Sequence, residues 1–284
     1  EESFWYIYKM LTVDKTVFAK EHGMDYAASN EDAVIEQACV RAAIDYDIPA
    51  DGIKVAGLDV AAGGKNKSVY SLRIGPKLIY QKRINFQSES ALVMDAIQLG
   101  HDDKISHMNY DHDGVGVAVP AVTGMLEEPP CFTINAIKNA SSASDKVVPV
   151  EGKAASKLYE NKRAEMWYRL AKRFKKTFGS VHNIKIHPPE DCISIPYSTV
   201  LIMQLSQPKR KTRGAKQGVD SKADMKHGGV ESPDYCDSLV FSFADPGMDE
   251  KVIPLFDYTS KSKHYCKFEV DRSEEHTSEL QSPM

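Results

Sequence analysis

The feature that most constrains the fold is an aspartate near the end of a short apolar strand. Residues 53–60 are mostly apolar and lead into a turn of small residues, which predicts a buried strand. Asp59 shares one face of that strand with Val55 and Gly57, because strand side chains alternate. An unpaired buried carboxylate costs several kcal/mol unless it takes up a proton. Asp59 is therefore either a strand-end residue that caps the turn or a metal ligand whose burial a cation offsets.

The runs that follow predict the type of sheet. Two more strand-like runs come next, joined by the tight turn Ile-Gly-Pro-Lys, and strands then alternate with helices. Three consecutive strands before an alternating pattern predict an α/β domain with a mixed β-sheet flanked by helices. The predicted strands span 53–60, 68–74, 77–86, 105–110 and 131–134, and the predicted helices span 31–43, 88–99, 115–126, 154–178 and 198–207.

Three further segments have a distinct local pattern. Residues 140–155 are small and polar and predict a mobile loop, and residues 207–218 predict a basic hairpin tip. A last helix is expected to have Ser232 as its N-cap and Pro233 at its first position, and to end at Pro246.

Composition narrows the class of protein. A chain of 284 residues accommodates one large domain or two small ones. Its formal net charge of -4 does not by itself indicate a nucleic-acid partner, although clustered charge can do so. The five cysteines form no C-x-x-C pair, which argues against structural zinc and suits a reducing compartment. No apolar run is long enough to span a bilayer, so no membrane partner is expected.

Three aspartates occupy positions that can meet at one end of the predicted sheet. Asp59 lies on the first strand, Asp111 ends a later strand before a Gly-x-Gly turn, and Asp237 lies on the last helix. If the first and fourth strands are neighbours and the last helix crosses them, the three carboxylates meet. With no Lys or Arg expected beside them, they require a cation or a proton. Oxygen ligands favour Mg²⁺ or Mn²⁺, and two such ions about 3.5–4 Å apart activate water for phosphodiester hydrolysis.

The same residues carry a family resemblance. The segments "GLDVAAGG", "YDHDGVG" and "SKADMKHGGVESPDYCDSLVF" together resemble the nuclease domain of the large terminase subunit of tailed bacteriophages. The resemblance covers about residues 50–246 and implies a ribonuclease H-like fold. It also implies a metal-dependent endonuclease that cuts double-stranded DNA concatemers during viral genome packaging, in the cytoplasm of the infected bacterial host. The implied partners are DNA, the portal protein and the small terminase subunit.

The resemblance also implies residue roles. Asp59, Asp111 and Asp237 would be the catalytic carboxylates that bind two Mg²⁺ or Mn²⁺ ions. Asp237 is preferred to Asp234 because it precedes Ser and Leu, as the helix carboxylate of ribonuclease H-like enzymes does. Asp113 and Asp234 are expected just outside the ligand set. The loop after the first strand has Lys65 and Asn66 where the family usually has an acidic residue, so no extra ligand is expected from it.

The resemblance also divides the chain. Residues 1–50 resemble a helical link from an upstream ATPase region, residues 51–250 would form the nuclease domain, and residues 251–271 would form a C-terminal extension. Residues 272–284 are expected to be an artefact, because "RSEEHTSELQS" resembles a translated sequencing adapter. The loop "GGKNKS" fails the phosphate-binding pattern G-x-x-x-x-G-K-[ST], so no ATP site is expected from it.

Several side chains keep two interpretations. His112 is the one histidine expected near the carboxylates, and Glu165 is expected to be solvated or to line the site. A basic run is either a solvated loop or, given a DNA substrate, the source of phosphate contacts. Its members are Lys209, Arg210, Lys211, Arg213 and Lys216. The alternative functions are another ribonuclease H-like nuclease, such as a junction resolvase, and a non-catalytic DNA-binding packaging module.

Overall fold

The computed structural model describes residues 32–61, 68–227 and 232–245. All of them belong to the first of two compact units, Glu1–Asp249. The expectations for residues 1–31, for the loop with Lys65 and Asn66, and for residues 251–284 lie outside the described residues.

A five-stranded mixed sheet forms the centre of the fold. Its strands are β1 (Lys54–Asp59), β2 (Ser68–Ile74), β3 (Lys77–Ile84), β4 (His107–Asp111) and β5 (Thr133–Ile137), in the order β3-β2-β1-β4-β5. The first three strands pair antiparallel, whereas β4 runs parallel to both β1 and β5. The tight turn before β3 uses Gly75 at a φ of 52°, a conformation that favours glycine. The α/β class and the adjacency of the first and fourth strands are therefore confirmed.

Helices cover both faces of the sheet. On one face, α2 (Glu89–Asp103), capped by Ser88, and α3 (Ala118–Gly124) enclose an apolar cluster with Leu58 and Leu92 at its centre. The larger cluster on the other face centres on Trp167 and Leu239. Its helices are α1 (Gln37–Ala42), α5 (Lys162–Val181), α6 (Thr199–Ser206) and α8 (Asp234–Ser242). Of the described helices, none has both the length and the apolarity that crossing a membrane requires.

The last helix lies unusually close to the sheet. A Cβ atom at Gly57 of β1 would overlap the carbonyl oxygen of Ser238 and the amide nitrogen of Ser242. The side-chain amide of Asn109 on β4 donates to the carbonyl oxygens of Phe241 and Ala244, at 2.9 and 3.0 Å. Glycine and buried amide bonds thus set α8 directly on β1 and β4.

The segment before α5 differs from its prediction. The helix begins at Lys162 rather than near residue 154, because the Asn161 side chain accepts from the Ala164 amide and caps it. The preceding residues form a hairpin of β6 (Val147–Val148) and β7 (Lys153–Ala154), then the short helix α4 (Ala155–Leu158). The predicted loop thus contains a short hairpin.

Three local features differ from what the sequence predicts. The run 115–126 predicts a helix interrupted by Pro120, but Pro120 lies in the first turn of α3, where its missing amide hydrogen has no partner to lose. A 3₁₀ turn, Gly114–Val117, precedes it. Pro233, not Ser232, occupies the cap position of α8. The helix α7 (Lys222–His227) was not predicted, whereas the basic hairpin is confirmed as β8 (Arg210–Arg213) and β9 (Lys216–Val219).

Candidate functional site

The three predicted carboxylates lie at one end of the sheet. Asp59 and Asp111 end the neighbouring parallel strands β1 and β4, and Asp237 lies in the first turn of α8. Their exposed fractions are 0%, 8% and 5%. The described fold therefore buries all three together in a region that ordinarily excludes ionised groups.

A lysine that sequence reasoning missed lies between two of them. The Lys222 ammonium is 3.1 and 3.2 Å from the two carboxylate oxygens of Asp59, and 3.3 Å from Oδ2 of Asp237. The expectation that no Lys or Arg accompanies the carboxylates is thus wrong. Lys222 lies within the segment "SKADMKHGG", but nothing in its spacing shows that α7 turns it towards the acidic cluster.

A second missed cation approaches Asp237 from the opposite side. Nη2 of Arg163 lies 3.4 Å from Oδ1 of Asp237, and the guanidinium lies over the Trp167 ring at 5.8 Å from its centroid. Arg163 is in the first turn of α5, which Asn161 caps. The two oxygens of Asp237 therefore face different cations, which holds the plane of the carboxylate.

Burial and mutual repulsion dominate the electrostatics. Burial raises the pKa of Asp59 to about 8, against the lowering effect of Lys222, and the charges of Asp237, Asp234 and Asp111 add to the rise. Burial likewise raises the pKa of Asp111 to about 6. Burial alone would lower the pKa of Lys222, but Asp59 and Asp237 outweigh it and the net direction is upward. A cluster of buried carboxylates with perturbed pKa values is typical of functional sites.

The neighbouring acidic residues have supporting positions. The Asp113 amide donates to Oδ1 of Asp111 at 3.1 Å, and the Asp113 carboxylate accepts from the Ala140 amide at 3.3 Å. Asp113 therefore shapes the turn after β4 and ties it to the chain beyond β5. Asp234 is buried one turn before Asp237, close enough for its charge to raise the pKa of Asp59.

The two residues with open interpretations have local partners. Nδ1 of His112 lies 3.4 Å from the Tyr110 hydroxyl. Glu165 is fully buried, so the expectation that it is solvated is wrong. Its carboxylate accepts from the amide and hydroxyl of Ser144, at 2.8 and 2.7 Å, and pairs with Arg169 at 2.7 Å. Glu165 thus fastens the segment before α5 to that helix.

The donor set fits a hard divalent cation by its chemistry. All three predicted ligands are carboxylates, and a positive group, the Lys222 ammonium, already lies among them. Within residues 32–61, 68–227 and 232–245, no three His, Cys, Asp or Glu side chains are grouped so as to hold one metal ion. A bound ion would therefore draw the carboxylates closer than they are here.

The basic hairpin is largely paired with acidic side chains. Arg210 lies 3.4 Å from Glu36, and Arg213 lies 3.0 Å from Glu160. Lys211 is 3.3 Å from Asp220 and 2.6 Å from Asp224. These pairs reduce the positive field that the hairpin presents, because each cation has an internal counter-charge.

Comparison with known proteins identifies the fold. The nuclease domain of the large terminase subunit gp2 of bacterial virus Sf6 matches with a TM-score of 0.69 and 24% identity, over 75% of this chain and 99% of that chain. A lysine-to-alanine variant of that domain, solved with manganese, matches with a TM-score of 0.67 and 24% identity, over 75% and 100%. The large terminase nuclease from thermophilic phage G20c with bound cobalt matches with a TM-score of 0.50 and 14% identity, over 75% and 96%.

At these identities the likeness concerns the fold. No protein-family model matches the chain, and no curated protein matches it. The mixed sheet flanked by helices agrees with the structural matches. The chain therefore has the ribonuclease H-like fold found in the nuclease domains of large terminase subunits.

Proposed function

We propose that this chain contains the nuclease domain of a terminase large subunit. It would cut double-stranded DNA concatemers during viral genome packaging, with two Mg²⁺ or Mn²⁺ ions as cofactors. The observation that carries the proposal is the burial of Asp59, Asp111 and Asp237 at one end of a sheet with this fold. The manganese and cobalt in two of the similar domains support a divalent cation in this one.

Each charged side chain has a role in this proposal. Asp59, Asp111 and Asp237 hold the ions, and Asp113 and Asp234 support them from outside the ligand set. The ions would supply activated water and stabilise the leaving oxygen. Lys222 offsets the carboxylate charge, and Arg163 holds the plane of the Asp237 carboxylate.

The wider assignments extend the same proposal. Double-stranded DNA would contact the basic hairpin, where Arg213 is 83% exposed despite its pairing with Glu160. The portal protein and the small terminase subunit would be partners, and the host cytoplasm the location. Residues 1–50 would link the domain to an upstream ATPase region.

The proposal is tested by neutralising the carboxylates singly. Asp59→Asn, Asp111→Asn and Asp237→Asn should each abolish Mn²⁺-dependent nicking of supercoiled plasmid, because each removes a charged ligand while preserving shape. Circular dichroism and thermal melting should show that the fold survives. Asp113→Asn and Asp234→Asn are the matched controls and should retain most activity. A wild-type chain that never nicks DNA, or an Asp237→Asn variant that nicks normally, would refute the proposal.

A further inference from the structure

Basic residues outside the hairpin can also meet a DNA backbone. At least three hairpin cations already face carboxylates within 3.4 Å. A cation near the acidic cluster that has no such partner is freer to bind a further phosphate. Arg83, on the edge strand β3, is exposed, and its guanidinium makes no hydrogen bond or ion pair within the described part of the chain.

Strand register places Arg83 in line with the site. Asp59 pairs with Val69 across β1 and β2, and Val69 pairs with Arg83 across β2 and β3. Directly paired residues have their side chains on the same face, so Arg83 and Asp59 share one side of the sheet. Two strand spacings separate their Cα atoms by about 10 Å.

The row beneath confirms which face this is. Gly57 pairs with Ser71 and Ser71 with Gln81. Ser71 contacts the Ser238 hydroxyl, and Gln81 donates to the Tyr235 carbonyl at 2.6 Å. That row packs against α8, which also presents Asp237 to the site. Arg83 lies one row further along the same face, towards the carboxylate end of β1.

The adjacent lysine provides an internal comparison. Lys82 is also exposed and also without an ion pair in the described residues, but it pairs with Tyr70, whose row faces α2. Lys82 and Arg83 therefore place equal charges at the same edge, on opposite faces of the sheet. Arg83 lies on the same face of the sheet as Asp59, and Lys82 lies on the other face.

We infer that Arg83 is a positioning residue that binds a backbone phosphate of duplex DNA beside the nuclease site. The inference rests on the proposed function and adds a contact to it. A duplex has one phosphate per strand for about every 3.4 Å of its axis, so a cation about 10 Å from Asp59 lies within a few phosphates of the cleavage point. A phosphate held there sets the register of the strand over the carboxylates without reading its bases.

The first experiment measures binding of a fluorescent duplex over a salt series in an Asp59→Asn background, which keeps the DNA intact. Arg83→Gln should reduce the slope of log K against log salt by about 0.9, the value for one lost phosphate contact. Arg83→Lys should keep the slope, because a lysine also contacts phosphate. Lys82→Gln should leave it unchanged. Equal losses in Arg83→Gln and Lys82→Gln, or none in either, would overturn the inference and make Arg83 an edge-protecting charge.

The second experiment measures Mn²⁺-dependent nicking by the chain with Asp59 intact. Arg83→Gln should raise KM several-fold more than it lowers kcat, since the contact is made to substrate and transition state alike. A fall in kcat with KM unchanged would overturn the inference. Wild-type nicking with no effect of Arg83 rejects the inference alone, whereas absence of DNA binding and nicking in the wild type rejects the proposed function with it.

Discussion

Lys222 partly offsets the charge of the acidic cluster. Its ammonium faces Asp59 and Asp237, so part of the repulsion between carboxylates is offset without a metal. A divalent cation would supply charge to the same carboxylates. The ammonium and the metal should therefore compete for the carboxylates, and removing the ammonium should increase the stabilisation that a bound metal gives.

Lys222→Met should lower the melting temperature of the chain in EDTA and enlarge the rise that Mn²⁺ produces. In a domain of this size, 1 kcal/mol corresponds to about 2–4 °C, so a shift of several degrees is expected. Thermal melting in EDTA and over a Mn²⁺ series measures both effects. Lys211→Met is the control, because Lys211 also pairs with two aspartates, but these are more exposed than Asp59 and Asp237. If the two variants respond alike to Mn²⁺, Lys222 does not compete with metal.

Among the elements, α8 depends on one position of the sheet, Gly57. Gly57 lets the helix lie against β1, and a methyl group there would meet backbone atoms of Ser238 and Ser242 that cannot rotate away. Because α8 holds Asp237 and β1 holds Asp59, any separation of the two elements also opens the site.

Gly57→Ala should therefore destabilise the fold by about 1–3 kcal/mol, the usual cost of overpacking, and weaken Mn²⁺ binding. Chemical denaturation measures the first effect, and titration calorimetry with Mn²⁺ measures the second. Gly124→Ala is a matched control, because a Cβ atom there meets no atom within 4 Å. Normal stability of Gly57→Ala would contradict the close packing of α8 on β1.

At the scale of the whole molecule, His107 makes the stability of the fold depend on pH. His107 begins β4, and its Nδ1 is buried with no hydrogen-bond partner among the described residues. Burial lowers the pKa of His107 below its ordinary 6.5, and the nearby charge of Arg73 lowers it further. As the pH falls below about 6.5, His107 takes up a proton in the unfolded chain but stays neutral in the folded chain. The free energy of unfolding therefore declines.

His107→Gln should flatten that decline relative to the wild type. One proton contributes at most about 1.4 kcal/mol per pH unit, between pH 6.5 and the lower folded pKa. Denaturation curves at a series of pH values, read as differences from the wild type, isolate this contribution. His182→Gln, at an exposed position, serves as the control. Parallel pH profiles for wild type and His107→Gln would show that His107 takes no part.

Much of the fold could be predicted because its signals are local. The bounds of β2 agree with the predicted run, and the basic segment forms a hairpin. The burial of Asp59 follows from alternation within one strand. The meeting of Asp59, Asp111 and Asp237 was predicted from strand adjacency and a resemblance, and their roles as ligands remain a proposal.

The partners of the charged groups were determined by the tertiary structure alone. Lys222 and Asp59 are 163 positions apart, and no spacing rule links them. The sequence pattern predicts a solvated Glu165, but in the fold Ser144 donates hydrogen bonds to its buried carboxylate. The sequence likewise indicates an unpaired basic hairpin, but in the fold Arg210 and Arg213 pair with carboxylates. Apolar periodicity determines which face of an element is buried, because burial acts on each residue separately. Pairing of charges depends on which segments meet in space, and only the folded chain determines that.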